Sequence, residues 1–377
     1  MNEILRTFHP VGQGAFYSER HPGFNIVYDC GNWKNSKAAQ KVVNQAFDKY
    51  DTIDILFISH FDYDHVSMIG TLRDSVKSIK HVVLPLLHDD EKILLKAFNH
   101  FHANSAQLNQ LIDDPQTFFG DDARIVYVNP TEQSESPIND DQESINLENL
   151  SAKQTIDSGA KIQLNTSNDW VFIPYNFKYH DRLQQLKNVL NYANLDINRL
   201  DDLKYVEANR ADIKECYKKI DGTINENSMI VYSGPLHENH HYYIVDAYSN
   251  FLWDLPYSYH RYHHHVDFHD LWHKPACIYS GDADFNKVQI HNIFRHYWKN
   301  VGTIQVPHHG SKNSFNFRFG FHKGGCFICP VSFGTNNTYG HPSGKVLQEL
   351  LQYESIPIAV TEKMDSTFIE IIEVEKK

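Results

Sequence analysis

Ser59-His60-Phe61-Asp62-Tyr63-Asp64-His65 decides the reading of this chain. Two histidines and two aspartates fall within six positions, directly behind the apolar run Ile53-Asp54-Ile55-Leu56-Phe57-Ile58. That run is rich in isoleucine and predicts a buried strand. A short loop leaving the strand's C-terminal end lets His60, Asp62, Asp64 and His65 converge on one point. Neutral imidazole and carboxylate oxygen are ligands for Zn²⁺, Mn²⁺ or iron. Without a cation, carboxylates this close repel and raise one another's pKa. The alternative reading is a solvated polar loop that happens to hold two histidines.

Other short strings follow the same theme along the chain. Val11-Gly12-Gln13-Gly14 and Ile26-Val27-Tyr28-Asp29-Cys30-Gly31 precede the heptad. Asn227-Ser228-Met229-Ile230-Val231, Tyr279-Ser280-Gly281-Asp282, Val306-Pro307-His308-His309-Gly310-Ser311 and Asn337-Thr338-Tyr339-Gly340-His341-Pro342 come after it. Taken in order, the set resembles the metallo-β-lactamase superfamily, whose signature is His-x-His-x-Asp-His, with Asp62 standing where the second histidine is usual. The variant is similar to the nuclease-type domain of ComEC competence proteins. The resemblance implies an α/β fold of the α+β kind, an αβ/βα four-layer sandwich of two mixed sheets with helices outside and a metal site at one edge.

The resemblance also implies roles. His60 and Asp62 would hold a first ion, Asp64 and His65 a second, Asp282 would bridge them, and His341 would be the C-terminal ligand. Asn227-Ser228 occupies the place of the family's isolated histidine, which makes the donor set richer in oxygen and moves the preference from Zn²⁺ towards Mn²⁺. The expected cofactors are thus two divalent ions, Zn or Mn. Either His308 or His309 is placed to protonate a leaving oxygen, and the other to lie against the metals. Ser311, Lys312 and Asn227 are candidate substrate contacts.

With 377 residues, 41% hydrophobic and 13% aromatic, the chain suits a globular protein with a sizeable core. No apolar run reaches bilayer length, and Met1-Asn2-Glu3-Ile4-Leu5-Arg6 has no signal-peptide pattern, so a cytoplasmic protein without a membrane is expected. Five cysteines, Cys30, Cys216, Cys277, Cys326 and Cys329, form an odd set that reads as reduced. Cys326-Phe327-Ile328-Cys329 has no second CxxC to complete a zinc site and reads as core strand. The net charge of −12 argues against a surface coated with nucleic acid, while a local basic, Phe-containing strip from Lys312 to Lys323 offers one guide for a phosphate backbone or simply packs on the core.

Strand-like runs cover 3–30, 53–59, 79–85, 228–233, 242–247, 276–281, 302–307, 326–333 and 356–373, with a helix over 37–50. Residues 1–84 and 226–377 read as two halves of the metallo-β-lactamase-like domain. Residues 85–225 read as a mostly helical insertion, a cap over the site or a module for a protein partner, with helices over 91–112 and 183–220. Residues 237–273 are histidine-rich without ligand spacing. The pattern predicts a metal-dependent hydrolase, first a phosphodiesterase or nuclease on DNA or RNA, in which water deprotonated by the metal attacks phosphorus. Similar soluble chains look like effectors of bacterial conflict systems. The alternative is a small-molecule hydrolase for a cyclic nucleotide, lactone or thioester; a non-catalytic binding protein is the third reading.

Overall fold

The structure, a computed structural model, describes residues 3–102, 105–132, 136–139, 143–164, 169–177, 180–200, 202–219, 228–238, 241–249, 269–321 and 326–374. Its first sheet has the order β12-β17-β1-β2-β3-β4-β5-β6-β8, formed by Tyr242–Tyr248, Phe368–Val374, Glu3–Phe8, Phe16–His21, Phe24–Cys30, Thr52–Phe57, Ser78–Pro85, Arg124–Val128 and Gln154–Ile156. The second has the order β16-β15-β14-β13-β11-β10-β9-β7, formed by Ile356–Val360, Ile328–Ser332, Val301–Ile304, Ala276–Tyr279, Met229–Pro235, Trp170–Asn176, Ile162–Gln163 and Ile145–Asn146.

Alternation within the strands builds the layers. In β4, Ile55 and Phe57 point into the core shared by the sheets, with Tyr28, Phe172, Val231 and Tyr279. Leu56 points the other way, into a core with Val42 and Val43 of α1 (Lys37–Ala46) and Ile69 and Leu72 of α3 (Ile69–Ser75). The second sheet is covered likewise by Ile290, Ile293, Phe317, Phe321, Val346 and Leu350, all on helices. Helix, sheet, sheet and helix are the four layers implied by the sequence, each sheet apolar on both faces.

The stretch 85–225 differs from its expected form. It supplies β6 and β8 to one sheet and β10 to the centre of the other, so its helical parts are limited to two groups. The first is α4 (Asp89–His102), α5 (Ala106–Asp113) and α6 (Pro115–Phe119); the second is α7 (His180–Tyr192), α8 (Leu203–Ala208) and α9 (Arg210–Lys218). Leu94 and Ala97 of α4 pack with Leu186, Leu190, Val206 and Ile213 in a core of their own. The strands escaped the sequence reading because β10 carries Pro174 and β7 and β9 are two residues long. The Phe-containing strip from Lys312 buries Phe315, Phe317 and Phe321, and these three rings pack on the core. Most of the histidine-rich stretch lies outside the described residues.

A polar network ties the sheets together from inside. Arg6 Nε donates to Glu19 Oε1 at 2.9 Å and its Nη1 to Glu370 Oε2 at 2.7 Å, with all three side chains fully buried. Ser233 and Tyr279, from the other sheet, donate to the Glu19 oxygens at 2.7 and 2.9 Å. Burial opposes the Glu19 charge, but Arg6 and His21 outweigh it and hold the carboxyl down at about 2. Removing one partner of such a set strands the rest. Arg6→Ala is expected to cost about 3–5 kcal/mol in denaturant unfolding; a loss below about 1 kcal/mol would mean that the network contributes little to the fold.

Candidate metal centre

The site lies where the C-terminal ends of β3 and β4 meet those of β13 and β14, the usual place for ligands in open α/β layers. The heptad leaves β4, and Asp62 takes the N-cap position of the short helix α2 (Tyr63–Val66) without making a side-chain cap bond. Asp64 carbonyl oxygen accepts from Ala15 N at 3.1 Å, which fastens the loop to the first hairpin. Opposite, Gly281 has φ +52°, and a Cβ there would lie 2.2 Å from Ser228 Oγ and 2.7 Å from Ser59 Oγ. Only glycine lets the loop carrying Asp282 come this close.

Asp29, to which the sequence alone assigns no role, organises the site. Its Oδ1 accepts from Ser59 N at 2.7 Å, and its Oδ2 accepts from Ser59 Oγ at 2.7 Å and lies 2.8 Å from His65 Nδ1. The Ser59 hydroxyl spends its proton on Asp29, so it accepts from His60 Nδ1 at 2.9 Å. His309 Nδ1 lies 2.8 Å from the carbonyl oxygen of Ser332, which can only accept. These partners fix one proton of His60, His65 and His309 on Nδ1, so a second proton or a cation is taken at Nε2.

Those Nε2 atoms face anions. His60 Nε2 is 3.5 Å from Asp62 Oδ2 and 3.6 Å from Asp282 Oδ2. His65 Nε2 is 3.1 Å from Asp282 Oδ1, and His309 Nε2 is 3.0 Å from Asp64 Oδ2. His60 Nε2, His65 Nε2, Asp62 Oδ1, Asp282 Oδ1 and His341 Nδ1 are buried without a hydrogen-bond partner. Two sets of donor atoms, His60-His65-Asp282 and Asp64-His65-His309, each lie within 4.8 Å of one another. The first set, unsatisfied by the protein, fits a divalent cation; in the second, His309 Nε2 and Asp64 Oδ2 hydrogen-bond each other at 3.0 Å, a bond that a cation would replace. Both sets draw on the one free nitrogen of His65, so two ions would be held unequally.

The electrostatics agree. Burial and His65 both oppose a proton on His60, yet Asp282 and Asp62 outweigh them and lift its pKa to about 9. Burial likewise opposes the Asp282 charge, but His308, His65 and His60 hold this carboxyl well below the usual range. His341 is pushed down to about 4 by burial and by His309 and His308, which keeps it neutral.

A cleft of about 120 Å³ opens over this floor, lined by Asp62, Asp64, Asp282, His308, His309 and His341 together with Gln13, Trp33, Tyr63, Asn99 and Tyr339. His308 stands at its rim, with Nδ1 2.9 Å from Ser314 Oγ and Nε2 3.8 Å from Asp282 Oδ2. The His341 ring is 5.8 Å from that of His308. Ser311 is buried, its hydroxyl accepting from Asn313 N at 3.3 Å, and neither it nor exposed Lys312 lines the cleft. Asn227 lies outside the described residues. Asn99 of α4 escaped the sequence reading: it is buried, and its Nδ2 has no partner. A lone amide on a helix far along the chain carries no motif that would have flagged it.

No protein-family model matches the chain, and no curated protein matches its sequence. Among solved structures it is similar to the native FEZ-1 metallo-β-lactamase from Legionella gormanii, at 16% identity over 45% of this chain and 49% of that one, with a TM-score of 0.23. It is also similar to the metallo-β-lactamase fold protein YhfI from Bacillus subtilis, at 12% identity over 46% of this chain and 54% of that one, with a TM-score of 0.18. The matched part spans about half of each of those chains. The chemistry of the site rests on its own geometry.

A pKa of about 9 keeps His60 protonated at pH 7 in the metal-free protein. A cation that takes Nε2 must displace that proton, so metal affinity rises with pH up to about 9. Titration calorimetry with Mn²⁺ at pH 7, in two buffers of different ionisation enthalpy, should show release of about one proton or more. Identical heats in both buffers would contradict this charge state.

Proposed function

We propose that the chain is a metal-dependent phosphodiesterase acting on nucleotide-containing substrates. The observation that carries the reading is the convergence of unpartnered His60 Nε2, His65 Nε2, Asp62 Oδ1 and Asp282 Oδ1, with Asp62 and Asp282 lining a cleft. Divalent ions bound there would lower the pKa of water from about 15.7 towards 7 and offset the charge developing on a phosphoryl group. His60, His65, Asp282 and Asp62 are the residues to hold the more tightly bound ion; Asp64 and His309, with His341 across the cleft, are those to hold the other.

The remaining groups divide the work around the reacting phosphorus. His308 stands at the rim of the cleft with 19% of its side chain exposed. It is the residue to protonate the leaving oxygen. Asn99 brings an uncommitted amide donor to a non-bridging oxygen, and the buried donor is satisfied only when substrate is present. Tyr63, Trp33 and Tyr339 wall the cleft and limit water.

The cleft's compactness bears on the size of the substrate. Besides histidine, the only cation among the described residues lining the cleft and the pocket beside it is Lys34. This supports a small phosphodiester, such as a cyclic nucleotide, or the end of a chain, over a long duplex laid in a basic channel.

The test is hydrolysis of bis-p-nitrophenyl phosphate, a cyclic dinucleotide, single-stranded DNA, duplex DNA and RNA by protein loaded with Mn²⁺ or Zn²⁺. Asp64→Asn is expected to lower kcat/KM by more than the about 10–100-fold typical of residues that only support a ligand, with the thermal unfolding curve largely kept. Unchanged turnover in that variant would remove Asp64 from the site. No turnover of any phosphodiester by metal-loaded native protein would overturn the function.

A further inference from the structure

We propose that the pocket beside the cleft is a nucleobase subsite. The assignment deepens the phosphodiesterase reading and rests on it. The pocket measures about 340 Å³, nearly three times the cleft, and shares Gln13, Trp33 and Tyr339 with it. The cleft is large enough for little more than a phosphoryl group; a pocket of this larger size is typical of sites for small organic ligands. A substrate with its phosphorus over Asp64 and Asp282 therefore extends past Trp33 and Tyr339 into the pocket.

The shared wall is aromatic. Trp33 is 36% exposed and Tyr339 56%, an unusual state for large rings, and their centroids lie 6.1 Å apart at 87°. A planar group entering between cleft and pocket meets a ring face, and stacking of this kind accepts any base. Polar edges of a base find amide partners beside the rings. The Gln13 carboxamide oxygen accepts from Gly334 N at 3.2 Å, which commits the oxygen and makes the NH2 group the one to meet a ligand acceptor.

The wall is built in advance. Trp33 N donates to Gln13 O at 2.7 Å, and the loop before α1 is pinned by Asn32, whose Nδ2 donates to Val11 O at 2.7 Å and whose Oδ1 accepts from Ser36 N at 3.0 Å. The facing loop is held by Thr335 N donating to Glu362 Oε2 at 3.0 Å. A purely apolar ligand would leave Gln13 and Asn336 without use; a flat heterocycle with donors and acceptors on its rim uses both rings and amides.

The test is equilibrium binding of adenosine 5′-monophosphate and ribose 5-phosphate to the Mn²⁺-loaded full-length chain. The two ligands differ only in the base. Native protein should bind the nucleotide at least about tenfold more tightly. Trp33→Ala and Tyr339→Ala should each erase most of that preference, and Trp33→Phe should keep it. Equal binding of the two ligands by native protein, or a preference unchanged in both alanine variants, would overturn the subsite. Hydrolysis of bis-p-nitrophenyl phosphate by the same preparations separates the two assignments. Turnover without a base preference removes the subsite and leaves the phosphodiesterase. A base preference lost in Trp33→Ala, without turnover, removes the phosphodiesterase and leaves a nucleotide-binding pocket.

Discussion

Imidazole lone pairs aimed at carboxylate oxygens, out of reach of bulk water, repel unless positive charge sits between them. The site is organised around that constraint. Each Nδ1 of His60, His65 and His309 has an acceptor that fixes its proton, so rotating a ring to relieve the repulsion would break a buried hydrogen bond. Protons supply the charge in the metal-free protein, which is why His60 is lifted to about 9. A divalent ion supplies it with better geometry. The same arrangement thus explains the orphaned atoms, the perturbed pKa values and the affinity for a cation.

The fold maintains this arrangement by strain at the loops and stiffness behind them. Asp29, His308 and His309 adopt φ values of 52°, 49° and 53°, in the left-handed region that costs non-glycine residues about 1–3 kcal/mol each. Directly behind, Tyr28 and Tyr279 stack with centroids 3.6 Å apart, one from each sheet. Tyr28 adjoins Asp29, and Tyr279 lies three residues before Asp282. The stack and the buried Arg6–Glu19–Glu370 network lock the sheets at the register that brings the two carboxylates to one point. His308 N donating to Gly281 O at 3.1 Å then couples the loops after β13 and β14.

Much of this was legible because it is local. The heptad placed four ligand-type groups on one loop, and strand alternation in β4 placed that loop at a sheet end. Asp282, His308, His309 and His341 each follow a strand whose apolar run is plain, and the structure brings all of them to the cleft. What was not legible depends on chain reversal or long-range contact. Nothing in the spacing of Asp29-Cys30-Gly31 says that a left-handed residue will turn its carboxylate onto His65. Asn99 reaches the cleft only because α4 docks across it. The expected contacts Ser311 and Lys312 follow His309 in sequence, but the turn at Gly310 carries them away from the cleft. Strand β10 was hidden by Pro174, which a half-buried sequence pattern does not accommodate.

The most direct test of the account is anomalous diffraction from crystals of the full chain grown with Mn²⁺. The account predicts a peak within about 2.0–2.3 Å of His60 Nε2, His65 Nε2 and an Asp282 oxygen, and a weaker one towards Asp64 and His309. Well-ordered imidazoles at the positions described, with manganese found only elsewhere on the protein, would contradict it.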